Sequence, residues 1–66
     1  MTIILNGQER SAPAGSSVLA LLGTVGIAPG RVGGELNGTI VRRDIFARAI
    51  LRDNDRIEVV HFVGGG

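Results

Sequence analysis

Two Asn-Gly pairs, Asn6-Gly7 and Asn37-Gly38, restrict the fold of this 66-residue chain more than any other feature. A two-residue turn of type I′ requires positive φ at both central residues, and asparagine followed by glycine meets this requirement well. An apolar and β-branched run that is typical of a strand, residues 2–5, precedes the first pair, and β-branched and apolar residues also lie on both sides of the second pair. The sequence therefore predicts two β-hairpins, the first with strands at residues 2–5 and about 8–12, the second with strands at residues 32–36 and 39–41.

A helical pattern separates the two hairpins. Four apolar residues recur at the i, i+3, i+4, i+7 spacing that forms one stripe on a helix: Val18, Leu21, Leu22 and Val25. Ser16 or Ser17 is suited to cap the first turn, because a serine oxygen accepts from its unpaired amides. Gly26 is suited to end the helix. We expect the main helix here, with its apolar stripe facing the sheet.

A short second helix and a last strand are expected after the second hairpin. Asp44 is expected to cap the helix, whose inward-facing residues are Ile45, Phe46, Ala49 and Ile50. A turn at residues 53–55 leads into the last strand, at residues 56–63. Two sets of side chains alternate along that strand, and only one can face the core: Ile57 and Val59 on one face, Glu58, Val60 and Phe62 on the other.

The order of elements predicts an α+β domain, in which a helix crosses one face of a mixed sheet. We expect the first and last strands to be adjacent and parallel. The domain should cover residues 1–63, and residues 64–66 should form a flexible glycine tail because glycine gains no side-chain contacts on ordering.

Charge and composition argue against several classes of function. Seven arginines and six acidic residues leave a net charge of +1, and only Phe46 and Phe62 could stack on bases, so no nucleic-acid partner is expected. The arginines at positions 42, 43, 48 and 52 are interpreted as a solvated surface. His61 has no second imidazole or any thiolate to share a zinc ion, because the chain lacks cysteine. With no apolar stretch of membrane-spanning length and no leader pattern, we expect a cytoplasmic protein that binds no membrane.

The last three residues, Gly64, Gly65 and Gly66, directly follow the predicted last strand. A glycine run can pass extended through a channel that is too narrow for side chains. A free terminal carboxyl group has a pKa of about 3.3 to 3.7, so at neutral pH it is an anion and a poor electrophile until it is activated. The alternative interpretation is a frayed end without function.

Four segments of the chain resemble the ThiS-type sulfur carriers of thiamine biosynthesis, which are β-grasp proteins of the ubiquitin-like group. The segments are Ile4-Leu5-Asn6-Gly7, Ser17-Val18 with Leu21-Leu22, residues 35–41, and residues 55–66. The last segment is the most specific. The chain departs from the family pattern at Gly33-Gly34, which should weaken the packing of the third strand, and at Arg42, where a proline is common.

The resemblance implies a β-grasp fold, with a mixed five-stranded sheet, one main helix and a short second helix. It also implies a carrier without catalytic residues or a cofactor of its own. A ThiF-type (E1-like) enzyme would use ATP to adenylate the Gly66 carboxylate, and a sulfur donor protein would supply the sulfur of a thiocarboxylate. A ThiG-type thiazole synthase would take up this sulfur for the thiazole ring, with Gly64 and Gly65 inserted in the partner's channel.

A partner-binding patch is expected on the sheet face opposite the helix, formed by Glu58, Val60 and Phe62. Its alternative is core packing in a strand that is buried on both sides. Arg42 and Arg43 would form a charged rim beside the patch. Three alternative functions stay open: a molybdopterin-pathway carrier, a ubiquitin-like modifier joined to target amines, and an interaction module with an inert tail.

Overall fold

The computed structural model describes residues 1–61. These residues form five strands and one α-helix: β1 (Thr2–Leu5), β2 (Gln8–Ser11), α1 (Val18–Thr24), β3 (Val32–Leu36), β4 (Thr39–Val41) and β5 (Arg56–His61). Two short 3-10 turns occur at Pro29–Arg31 and Arg43–Ile45. The predicted α+β architecture, with a mixed five-stranded sheet and one main helix, is confirmed.

The strands are arranged in the order β2-β1-β5-β3-β4, so β5 is the central strand. It runs parallel to β1, with Leu5 opposite Ile57, and antiparallel to β3, with Gly34 opposite Val59. The expected parallel pairing of the first and last strands is therefore confirmed. β1 pairs with the first two residues of β5, whereas β3 pairs with it as far as His61.

Both Asn-Gly pairs form the two-residue turns that the sequence predicts. The φ angles are 49° and 82° at Asn6 and Gly7, and 52° and 85° at Asn37 and Gly38. Positive φ at both central positions identifies type I′ turns, whose twist matches that of the strands they join. The strand bounds agree with the prediction except that β2 ends at Ser11, one residue early.

Helix α1 has both predicted ends. At its start, the Ser17 hydroxyl accepts from the Ala20 N–H at 3.0 Å. At its end, Gly26 adopts a φ of 75°, and the Ile27 N–H donates to the Leu22 carbonyl at 2.9 Å. This bond across a left-handed glycine is the Schellman motif, which pairs carbonyls that the last helical turn leaves free. The expected stripe is confirmed, since Val18, Leu21 and Leu22 are buried and Val25 packs against the core.

The core lies between α1 and one face of the sheet. Its buried residues are Ile3, Leu5, Ala12, Val18, Leu21, Leu22, Val32, Val41, Phe46, Leu51, Ile57 and Val59. Every strand except β2 contributes to this set, and the alternation along β5 follows the prediction, with Ile57 and Val59 facing inward. The other face of the sheet, called the open face below, has no helix of residues 1–61 packed on it.

The expected second helix is the 3-10 turn Arg43–Ile45. Its capping position is occupied by Arg42, with no side-chain capping bond, so the predicted cap at Asp44 is wrong. Asp44 instead lies within the turn, where its Oδ1 is 3.3 Å from the Nε of Arg42. Isolated turns follow, and Phe46 is buried as expected.

The predicted inward orientation of Ile45 and Ile50 is also wrong, because both side chains are exposed. The main chain at Ile50 forms an antiparallel bridge with Ser17 and is therefore extended rather than helical. An extended segment alternates its side chains between two faces. This alternation turns Ile50 outward and buries Leu51, which was not among the inward-facing residues of the predicted helix.

Gly34 makes room for an aromatic ring. The Phe46 ring lies over this residue, with Cε1 and Cζ each 3.6 Å from the position that a Cβ atom would take at Gly34. β3 pairs with β5 over all five of its residues and with β4 over three, and the predicted weakening of its packing stays a prediction. The Phe46 ring therefore occupies the space in which a side chain larger than alanine would lie at Gly34.

Candidate functional site

The open face carries two large exposed apolar side chains. Val60, on β5, is 61% exposed, and Ile40, on β4, is 76% exposed. The position of Val60 excludes the alternative in which β5 is buried on both faces. Glu58 lies on the same face, as predicted. Phe62, the third residue of the partner-binding patch, lies outside the described residues, and the binding role of the patch stays a prediction.

Strand register brings further residues to the patch. Gly33 lies opposite Val60, and Glu35 lies opposite both Glu58 on β5 and Ile40 on β4. Together with Gly34 these residues line a shallow depression of about 240 Å³, called the open-face depression below. Because Gly33 has no side chain, the depression reaches the backbone of β3. The structure thus adds Gly33, Glu35 and Ile40 to the predicted patch.

Two glutamates stand side by side in the open-face depression. Glu35 and Glu58 are direct neighbours on antiparallel strands, an arrangement in which like charges destabilise the sheet. The ion pairs among residues 1–61 comprise only Arg42 with Asp44, so no cation of this part of the chain lies within 4.0 Å of either glutamate. Acidic groups beside exposed apolar side chains suit a partner surface that is both apolar and cationic.

The predicted arginine surface is exposed throughout, at positions 42, 43, 48 and 52. Arg42 follows directly after β4, and its Nε lies 3.3 Å from the Asp44 Oδ1 in an exposed ion pair. Within residues 1–61, no group of three or more histidine or acidic side chains is arranged to hold a metal ion. The same part of the chain contains no helix that is both long and apolar enough to cross a membrane.

The predicted reactive residue, Gly66, and the tail residues Gly64 and Gly65 lie outside the described residues. Their roles therefore stay predictions. In the described part of the chain, β5 pairs with β1 at Arg56 and Ile57 and with β3 as far as His61, which lies opposite Val32.

Two solved structures from Geobacter metallireducens are similar to this chain. The crystal structure of the thiamine biosynthesis protein ThiS has a TM-score of 0.85 and 30% sequence identity, and the match covers 100% of both chains. An NMR solution structure of a thiamine biosynthesis protein has a TM-score of 0.76 and 30% identity, and the match covers 100% of this chain and 88% of that one. The predicted β-grasp fold is confirmed by these matches.

Two curated relatives bear the name thiazole synthase. The protein from Magnetococcus marinus is 44% identical over 66 residues, and the protein from Paramagnetospirillum magneticum is 39% identical over 66 residues. In both cases 100% of this chain aligns with 20% of the relative. The chain thus spans about a fifth of the length of these relatives.

The family model described as the ThiS family matches residues 3–66. The match begins within β1, includes both Asn-Gly turns and α1, and continues through the final glycines. It agrees with the four segments on which the resemblance was based. Because it covers nearly the whole chain, this protein belongs to the ThiS family.

Proposed function

We propose that this protein is the sulfur carrier of thiamine biosynthesis, with the Gly66 carboxylate as the group that carries sulfur. The observation that supports this most strongly is the family match over residues 3–66, because it includes the glycine tail as well as the folded domain. The similar structure from Geobacter metallireducens is a thiamine biosynthesis protein, which favours this pathway over the molybdopterin pathway.

The chemistry follows from the properties of a carboxylate. One oxygen of the Gly66 carboxylate attacks the α-phosphorus of ATP, pyrophosphate leaves, and an acyl adenylate forms. A hydrosulfide ion from the sulfur donor then attacks the activated carbonyl carbon, AMP leaves, and loss of the proton from sulfur gives a thiocarboxylate. Both steps need a partner enzyme, so the carrier contributes the reacting group and its placement. The chain has no cysteine and so offers no thiol that could compete for the acyl group.

We assign three partners to the carrier: a ThiF-type adenylating enzyme that uses ATP, a sulfur donor protein, and a ThiG-type thiazole synthase that takes up the sulfur. The names of the two curated relatives support the last of these. The partner-binding patch would contact the two enzymes, with Val60 and Ile40 as apolar contacts and the glutamate pair facing cationic groups. A chain without cysteine is suited to the reducing cytoplasm, where we place the reaction.

Intact-mass measurement of the protein from its native cell tests the proposal. Replacement of one carboxylate oxygen by sulfur adds about 16 Da, and treatment with an alkylating reagent should add one further group at that sulfur. Covalent adducts with other proteins would favour a ubiquitin-like modifier instead. A mass that stays unchanged, even when thiamine is withheld from the medium, would contradict the carrier proposal.

A sulfur-transfer assay distinguishes the thiamine pathway from the molybdopterin pathway. Thiocarboxylated protein is mixed separately with a thiazole synthase and with the acceptor enzyme of the molybdopterin pathway, and loss of the sulfur is followed by mass. We expect loss with the thiazole synthase. Loss with the other acceptor alone would overturn the assignment to thiamine biosynthesis.

A further inference from the structure

The two Asn-Gly turns have the same main-chain shape but differ in what holds the asparagine side chain. Asn6 bonds to main-chain groups of β5: its Oδ1 accepts from the Val59 N–H at 2.7 Å, and its Nδ2 donates to the Val59 carbonyl at 3.2 Å. Both bonds are partly shielded from water, and Val59 itself is buried. The Asn6 side chain is therefore held by the central strand of the sheet.

The side chain of Asn37 is held only by exposed contacts. Its Oδ1 accepts from the Arg56 N–H at 2.9 Å, and its Nδ2 donates to the Asp55 Oδ1 at 3.0 Å. The other oxygen of Asp55 accepts from the Arg52 N–H at 2.8 Å, in the loop before β5. Water competes with exposed hydrogen bonds, so the Asn37 side chain should leave its partners more often than the Asn6 side chain does.

An asparagine that precedes a glycine can lose its side-chain amide group without an enzyme. At Asn37, the Gly38 nitrogen attacks the side-chain amide carbon, its proton leaves with the departing ammonia, and a five-membered imide ring closes. Water then adds to one of the two imide carbonyls and breaks the bond from that carbon to nitrogen, which leaves aspartate or isoaspartate at position 37. Glycine favours the attack because it has no Cβ atom to hinder the approach of its nitrogen.

Ring closure in the folded protein requires that the asparagine side chain first break its own hydrogen bonds. The main chain gives neither turn an advantage, since φ is positive at all four residues and both glycines face open space. The side-chain contacts therefore determine how often each amide is free to react. We propose that Asn37 is a site of spontaneous deamidation, and that the contact with Val59 protects Asn6.

The product at position 37 would place one carboxylate against another. An aspartate there can still accept from the Arg56 N–H, but it has no donor for the Asp55 oxygen that lies 3.0 Å from the Asn37 Nδ2. Asn37 lines a depression of about 500 Å³ on the open face together with Arg56, Glu35 and Glu58, so a further negative charge would join two carboxylates. Deamidation should therefore loosen the turn between β3 and β4 and make the open face more acidic.

Incubation of the intact protein at mildly alkaline pH tests the assignment. Each deamidation adds about 1 Da, and peptide mapping by mass spectrometry assigns it to Asn6 or Asn37. The difference in protection corresponds to about one net hydrogen bond, so Asn37 should convert at least about fivefold faster in the folded protein. Both asparagines lie between leucine and glycine, so in urea the two rates should agree within about twofold.

Variants at Asn37 and Asp55 test the contacts directly. Asp55→Ala removes the acceptor for the Asn37 Nδ2 and should speed conversion at Asn37, while Asn6 in the same molecule reports any general loss of stability. Asn37→Asp reproduces one product and should lower the melting temperature by about 5 °C at low salt. Combining it with Asp55→Asn moves the donor to the other partner and should recover most of that loss.

Conversion of Asn6 as fast as Asn37 in the folded protein, or faster, would overturn the assignment. So would a folded protein in which Asn37 stays intact while both asparagines convert in urea. An Asn37→Asp variant that is as stable as the parent would overturn the loosening of the turn. None of these measurements involves sulfur transfer or a partner enzyme, so their outcome is independent of the proposed function.

Discussion

Val59 and Val60 offer a matched pair of substitutions on opposite faces of β5. Val59 is 8% exposed and belongs to the core, whereas Val60 is 61% exposed on the open face. Replacing each by alanine removes the same two methyl groups. Val59→Ala should therefore lower stability and leave partner binding nearly unchanged. Val60→Ala should weaken partner binding and leave stability nearly unchanged.

The structure sets the size of each effect. Full burial of two methyl groups contributes about 1.6 kcal/mol. Because Val60 is 61% exposed, a partner that covers it would add about 1 kcal/mol of this burial energy. Val60→Ala should therefore weaken binding about fivefold and hardly change the melting temperature. Val59→Ala should instead cost about 2 kcal/mol of unfolding free energy, which corresponds to a melting temperature about 10 °C lower.

Thermal melts followed by circular dichroism and titration calorimetry with the ThiF-type enzyme and the thiazole synthase measure both quantities. Val59→Ala should leave the Kd of the folded protein near that of the parent, because its main-chain bonds to Asn6 are retained. A melting temperature that falls equally in both variants would refute the face assignment. An unchanged Kd for both partners in Val60→Ala would refute the open face as the partner-binding surface.

Three further predictions concern the tail, the glycine under the aromatic ring, and the glutamate pair. Deletion of Gly66 draws the carboxyl group back by about 3.3 to 3.6 Å, and Gly65→Val adds a branched side chain, so both should abolish ATP–pyrophosphate exchange without changing the melting temperature; activation at the parental rate would show that the tail is not the reactive arm. Gly34→Leu should lower the unfolding free energy by about 1 to 3 kcal/mol in urea titrations, because the leucine side chain would enter the space of the Phe46 ring, which lies 3.6 Å from the Cβ position at Gly34. Gly34→Ala should be tolerated, because its Cβ would be in ordinary contact with the ring. Glu35→Gln should raise stability slightly at low salt, because it removes the negative charge opposite Glu58, and salt screening should cancel this gain at high salt. A gain that does not depend on salt would contradict this cause.

The hairpins and α1 could be predicted closely because their signals are local. The positive φ at Asn6 and Gly7 follows from residue type, and so does the end of α1 at Gly26. The faces of β5 also follow from simple alternation, which placed Val60 on the exposed side. In each case the residues that determine the structure lie within a few positions of one another.

The segment after β4 could not be predicted in the same way. Its pattern resembles a helix, yet the main chain at Ile50 pairs with Ser17, and the Leu51 N–H donates to the Ser16 carbonyl at 2.8 Å. These partners lie more than thirty positions earlier in the sequence. A tertiary contact therefore replaced the local preference for a helix.

The sequence by itself determined the turns, the main helix, the inward and outward faces of the last strand, and the family to which the chain belongs, because each depends on residue types in short segments or at the chain end. The tertiary structure alone decided that Glu35 lies beside Glu58, and that the Asn6 amide binds Val59, 53 positions away. Such contacts depend on the register of β5 between β1 and β3. That register is set by burial of the whole core, because a shift of one residue would turn Ile57 and Val59 out of it.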